Sequence, residues 1–398
     1  MKFSKFGQVS LVSGIALILA SAFTACNPVT IDYIFVAGNK QNPGQIETFL
    51  VDRVSGALSP VNTTVSSGGV KPVSMATSTD YNFLYVANQS DNTIVQFSID
   101  GVGKLASVKT TTLSAEGNTP VSITMNTQGT LLYVVSQYQP GHSATNPSGG
   151  ALSVFPVGTD GSLGASVSNG GLNYVPVGIN PTGVGALASG AAVYVTTYSP
   201  AAGLGFVYGY SASTSGALSA LTGSPFAAGV KPSAIGMDPR SRFVYVTDFS
   251  QSQLIGYSVL DQGVLHPLIN GPFRTGAEPT SITIDQRGQF IYVSNSLDNS
   301  VSAYAIDLPT GTPTATVAST GTATNVTGTL PVAIIIDPGF GRYVYTANQL
   351  DNSLTGFHLD SSTGALSITQ NGPYPSVGQP SALASVPRGN HSIQVNKQ

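Results

Sequence analysis

The chain has no tryptophan and a single cysteine, Cys26, in 398 residues. One thiol cannot make an internal disulfide, so the fold has to be held by its own core, and a C-x-x-C redox or zinc motif is excluded. Charge is scarce as well. Charged residues make up 8% of the chain, with 15 Lys and Arg against 18 Asp and Glu and a formal net charge of -3. No basic run breaks this pattern, which argues against nucleic acid as a partner. There is no H-E-x-x-H, no G-x-S-x-G elbow and no phosphate loop. The reading therefore includes no cofactor and no metal.

Present instead is one recurring unit, clearest from Glu278 to Asp307. A proline opens a short apolar strand, a polar turn follows, Phe290 to Ser294 makes a second strand, and Leu297-Asp298-Asn299-Ser300 reverses the chain into a third, with the period-2 alternation of a sheet. The aromatic of the second strand recurs as Phe35, Tyr85, Tyr133, Tyr194, Tyr245, Tyr292 and Tyr345. Opening prolines stand at Pro72, Pro120, Pro181, Pro232, Pro279, Pro331 and Pro380. A fourth strand follows each Gly-x-Leu turn, such as Gly216/Leu218 or Gly364/Leu366, and only the turn near Gly311 departs from that pattern. Four-stranded units at a period of about fifty residues predict an all-β, seven-bladed β-propeller of antiparallel blades. The first copy lacks an opening strand and the last stretch, Pro380 to Val386, is an opening strand without a blade. The last blade should thus be closed by strands from both termini, which removes a free sheet edge. Unbroken composition and spacing argue against two separate β-sandwiches.

Residues 1–25 read as a targeting segment. Lys2 and Lys5 precede an apolar stretch, Leu11 to Phe23, too short to span a bilayer comfortably, and Ala25-Cys26 follows. This resembles a bacterial lipoprotein signal, in which the cysteine is lipidated and becomes the first mature residue; Phe23 stands where such signals usually have Leu. The resemblance implies export, a membrane anchor at Cys26, a short tether over 26–32 and a propeller over 33–398. Asn27 after the cysteine resembles the pattern sorted to the outer membrane in Gram-negative cells.

In a propeller the opening strand lies nearest the axis. Its third position is apolar in every copy, from Met75 to Leu383, while the second and fourth are small, such as Ser74 and Ala76, apart from Ile335. The expectation is that the third packs between sheets and the others face a narrow, nearly neutral bore. Polar function then falls to the rim. The residues before the prolines, expected to be extended, are Lys71, Thr119, Asn180, Lys231, Glu278, Leu330 and Gln379, and turns on that face add Tyr198, Phe249 and Asn348. Ser-Pro or Gly-Pro steps bring Phe226, Phe273, Arg274 and Tyr374. Such a bowl suits a small polar ligand, for example a sugar acid. The long loop Gln137 to Gly150 carries His142, the histidine best placed for a role. Lys71, Asn180, Lys231, Arg274, Gln379 and Asn348 are the candidate ligand-binding rim; Glu278 and His142 are the candidate bases of any catalysis. The pairs Asp91-Asn92, Asp298-Asn299 and Asp351-Asn352 each offer a lone carboxylate in a tight turn, which turn chemistry explains better than calcium.

The strings LYVANQSDNTI, VYVTDFSQSQL, IYVSNSLDNSV and VYTANQLDNSL, with closing SGALS and TGALS turns, resemble the YVTN-type repeats of the seven-bladed lactonase family. The resemblance covers almost all of the chain after the signal. Its enzymes include 6-phosphogluconolactonases, which implies lactone hydrolysis without a metal as one activity. Family enzymes tend to carry Pro-Arg-His at the head of one opening strand and Asn-Glu at the end of the next. Here Pro331 is followed by Val332 and Ala333, and Asn348 by Gln349. Glu278 with Lys71 and Lys231 would have to replace them. The sequence thus favours a module binding a small ligand or a protein partner over a lactonase acting on a sugar-derived lactone.

Overall fold

The computed structural model describes residues 29–316 and 325–389. Cys26 and the preceding segment lie outside them. Seven antiparallel sheets follow one another around an axis. The first blade combines Thr30–Gly38, Gln45–Asp52 and Leu58–Ser66 with Pro380–Pro387 from the other end of the chain. The closure by both termini is as expected, except that its first strand starts at Thr30, inside the stretch read as tether. The remaining inner strands, in blades two to seven, are Pro72–Thr77, Asn118–Met125, Pro181–Ala186, Pro232–Met237, Pro279–Ile284 and Pro331–Ile336. Consecutive inner strands touch, and Pro380–Pro387 touches both Pro331–Ile336 and Pro72–Thr77, so the ring is complete.

Each blade is a radial sheet with two buried faces, and apolar side chains gather in seven clusters, one for each pair of adjacent blades. The recurring aromatics sit in these clusters, all at most 2% exposed. Burial pushes the phenols of Tyr85, Tyr194, Tyr245, Tyr292 and Tyr345 above the usual tyrosine range, so they remain neutral hydrogen-bond donors. Each donates to the glycine carbonyl in the turn before the outer strand of the next blade: Tyr85 to Gly161 at 2.6 Å, Tyr194 to Gly263 at 2.5 Å, Tyr245 to Gly311 at 2.6 Å, Tyr292 to Gly364 at 2.9 Å and Tyr345 to Gly56 at 2.8 Å. The last bond links the seventh blade to the first. Gly311, whose turn has Pro313 where the others have Leu, performs the same task as its counterparts. At Gly311 and Gly364, φ is +76° and +73°, and a Cβ would lie 2.4 and 2.3 Å from the rings of Phe243 and Phe290. Only glycine combines that backbone with that closeness.

The structure revises the outer strands. In the fourth to seventh blades the outer strand is two short pieces, for example Leu265–Pro267 and Phe273–Arg274, both paired with the third strand. Phe226, Phe273 and Tyr374 therefore return to the sheet and pack in the interblade clusters instead of lining a bowl. An aromatic after a proline step finds more apolar surface in the sheet than in a loop.

Removing the hydroxyl in Tyr292→Phe should cost about 1 kcal/mol by leaving the Gly364 carbonyl without its partner. Gly364→Ala should cost more, on the order of 2–4 kcal/mol, because it adds left-handed strain and a clash with Phe290. Urea unfolding of the two variants measures both; equal losses would show that the turn is not set by the ring beneath it.

Candidate functional site

The mouth of the channel is built from the residues before the opening prolines. Six of the seven are not extended, contrary to the sequence expectation: φ is positive at Lys71, Thr119, Asn180, Glu278, Leu330 and Gln379, between 50° and 65°, whereas Lys231 is not among them. A bulge follows just inside the strand, where the register shifts between the proline and the second residue after it, after Pro232 as well as after the others. Neighbouring turns hold this geometry. The Asn92, Asn299 and Asn352 carboxamides accept the amides of Thr119, Leu330 and Gln379 in the following blade, at 3.1, 2.9 and 2.7 Å. Asp91, Asp298 and Asp351 accept loop amides of their own blades, from Val70, Ala277 and Thr329. The Asp-Asn pairs are thus turn and blade connectors.

Around this ring the candidate side chains take different roles. Lys231 is half-buried, with its Nζ 4.2 Å from the centre of the Phe249 ring and 5.8 Å from that of Tyr198. Two aromatic faces hold the ammonium in place without neutralising it. Asn180 is tied down, accepting from Gln137 at 3.1 Å and donating to the Tyr198 carbonyl at 3.3 Å. Glu278, one blade on from Lys231, is half-buried, and its carboxylate accepts from Ser296 Oγ at 3.4 Å. The ion pairs among the described residues are Arg242–Asp238 and Arg287–Asp285, so Glu278 pairs with neither lysine. Lys71 and Gln379 are exposed on the ring.

Other candidates are bound into the scaffold or lie on an outer strand. Asn348 is completely buried; it accepts from Thr346 and donates to Ser353 and Thr355 at 3.1 and 2.9 Å, which leaves it holding the strand end rather than meeting a ligand. Arg274 is on the outermost strand, three strands from the axis or roughly 14 Å at the usual spacing. His142 closes its own loop, with Nδ1 3.2 Å from the Asn146 carbonyl, while its carbonyl accepts from Asn118 at 2.7 Å.

The bore is neutral, and no inner strand carries a charged residue or histidine. Its lining differs from expectation. Because the blades are radial, both faces of an inner strand pack against neighbours, as when Met75 meets Ala382 and Ala384, and the strand's edge turns toward the axis. Hydroxyls stitch these edges together. Ser233, Thr280 and Ser381 donate to the proline carbonyl of the next blade at 2.6, 2.7 and 2.6 Å, and Ser74 accepts the Ile123 amide at 3.1 Å.

The family profile for "Lactonase, 7-bladed beta-propeller" matches residues 33–170, 191–327 and 266–385. The chain belongs to the lactonase family of seven-bladed β-propellers. Among solved structures, this lactonase-family chain is similar to the periplasmic gluconolactonase of Pseudomonas aeruginosa, with 19% identity, a TM-score of 0.73 and coverage of 90% of this chain and 100% of that one. A Bacteroides fragilis protein provisionally assigned as a 6-phosphogluconolactonase gives 19% identity and a TM-score of 0.71, covering 90% of this chain and 98% of its own. No curated protein sequence matches. At these identities the likeness to solved structures is one of fold.

The lactonase-family scaffold also buries a carboxylate pair that the sequence reading missed, at the channel end opposite the mouth. Asp32 and Asp337 are both 0% exposed, in the first and seventh blades. Asp337 accepts four backbone amides, from Phe340, Gly341, Arg342 and Tyr343, whereas Asp32 has no such set of donors and faces the Asp337 carboxyl. Burial, then the charge of Asp337, pushes Asp32 up to about 9. No local motif marks the pair, because its members stand near opposite ends of the chain.

A carboxyl of about 9 in the fold and about 3.9 in the unfolded chain is protonated only in the native state between those values. Its contribution is full below about pH 4 and is lost as pH rises toward 9. Asp32→Asn should therefore raise the melting temperature relative to the native protein at pH 8, with the gap shrinking toward pH 4. A gap independent of pH would contradict a protonated Asp32.

Proposed function

We propose that this propeller is exported, anchored to the envelope through a lipidated Cys26, and binds a small anionic polar ligand of the sugar-acid class at the channel mouth. One observation carries the binding reading: the Lys231 ammonium, fixed over Phe249 and beside Tyr198, has no carboxylate within ion-pairing distance among the described residues. A cation held in place and left unpaired beside the mouth is suited to a carboxylate or phosphate. Export is supported by the signal-like start and by the similarity to a periplasmic gluconolactonase.

Lactone hydrolysis is the second reading, favoured by family membership itself. It needs a base for water and a cation for the developing oxyanion. Glu278 and Lys231 stand on adjacent blades, but no contact joins them, and the Pro-Arg-His and Asn-Glu of family enzymes are lacking here. A partner protein at the same face would be a third occupant.

Calorimetric titration with D-gluconate should show binding that Lys231→Gln weakens roughly tenfold or more, as expected for loss of one charged hydrogen bond. No heat with gluconate, or binding unchanged in the variant, would remove the carrying observation. Run alongside, a panel of sugar-derived and aliphatic lactones should give no turnover above buffer; turnover abolished by Glu278→Gln or His142→Ala would establish the enzyme instead.

Labelled palmitate fed to expressing cells should enter the protein, and Cys26→Ser should abolish incorporation. Equal labelling of the two proteins would remove the lipid anchor.

A further inference from the structure

We propose that the surface around the propeller's closure, at the end opposite the mouth, is a contact site for an anionic phospholipid bilayer, with Arg53, Arg342 and Arg388 as its phosphate-binding groups. The inference takes its orientation from the lipid-anchor reading but is tested separately from it.

Arg53 and Arg388 line a cavity of about 230 Å³ together with Val29 and Phe340. The Arg53 and Arg342 guanidiniums lie 5.6 and 5.5 Å from the centre of the Phe340 ring. Backbone bonds fix the approach: the Arg53 amide donates to Val29 at 2.8 Å and the Arg388 amide to Ile31 at 2.8 Å. Arg388 also borders a second cavity of about 400 Å³, opposite Lys104. None of these four cations is in an ion pair with a described carboxylate. The same turns carry two carboxylates, Asp52 and Asp100, tied to backbone amides and still charged, so four cations stand against two anions, with Asp32 and Asp337 buried beneath.

Exposed apolar side chains stand among the cations. Val54, next to Arg53, is 85% exposed, Val102 is 61% and Val29 53%. Guanidiniums bind phosphate in a bidentate fork, and apolar side chains beside them enter the boundary between headgroups and acyl chains. A soluble phosphate would use the arginines but gain nothing from the valines. Chain length selects the bilayer over a protein. Cys26 precedes Val29 by three residues, at most about 11 Å of extended chain. Acyl chains on Cys26 would hold this surface within roughly a Debye length of the headgroups, where their charge is felt.

The test uses the non-acylated chain from Asn27, which keeps every described residue, in co-sedimentation with vesicles. It should bind an equal mixture of phosphatidylcholine and phosphatidylglycerol, and be released by high salt, while binding phosphatidylcholine alone weakly. Each Arg→Gln change at 53, 342 and 388 should weaken partitioning roughly fivefold, and the three together about a hundredfold. Lys231→Gln, on the opposite face, should bind as the native protein does, and Val54→Asp should weaken binding without touching an arginine. Circular dichroism of each variant separates a lost contact from a lost fold. Equal binding to both vesicle types, or a triple variant that is folded and binds unchanged, overturns the proposal. So does loss of vesicle binding to competing inorganic phosphate at equal phosphate concentration, which would mark a site for the free ion. Because no acyl chain is present, failed labelling of Cys26 in cells leaves this result standing, and failed vesicle binding leaves the anchor standing.

Discussion

The structure depends on a bond between blades rather than within them. A buried tyrosine of one second strand donates to a glycine carbonyl in the next blade, and the same turn needs a positive φ and the absence of a side chain so that an aromatic ring can pass beneath it. A single four-stranded sheet leaves both faces unburied. An apolar cluster at every junction, with the polar bond at five of the seven, fixes the angle between blades and buries their faces. With no disulfide available, this repetition carries the stability, and Tyr345 bonding Gly56 closes the ring across the two ends of the chain.

Those demands consume most of the polar side chains that resemble a site. Asn348 and the Asp-Asn pairs satisfy strand ends and loop amides, and serines and threonines stitch the inner edges. What is left over is informative for that reason. At one end Lys231 keeps its charge between two aromatic faces. At the other, arginines and exposed valines surround the point where the described chain begins. A neutral bore separates the two ends, so each has its own chemistry.

The repeat made the fold legible. Period-2 alternation, prolines and the Gly-x-Leu turn define the strands and their number, and the missing opening strand at one end with a spare one at the other gave the closure. The site was legible only in part. Lys231 and Asn180 stand in the ring before the prolines, as their sequence positions imply, yet the sequence could not say that Asn348 is buried, because its position in the repeat is the same whether it holds a strand end or a ligand. Arg274 followed a proline step that returns to the sheet instead of turning to the axis. The small residues of the inner strands suggested a lined bore, but radial blades turn edges, not faces, to the axis.

Local chemistry therefore determined strands, turns and blade count, since these follow from alternation and backbone preferences within a few residues. The tertiary structure alone decided what touches what across blades: the left-handed backbone before six of the seven prolines; the cage around Lys231, drawn from two blades; the buried Asp32 beside Asp337, and the arginine cluster at the closure, both joining the ends of the chain. Such contacts depend on distances through space between residues far apart in sequence, and a repeat that makes every blade alike cannot encode where its few exceptions meet.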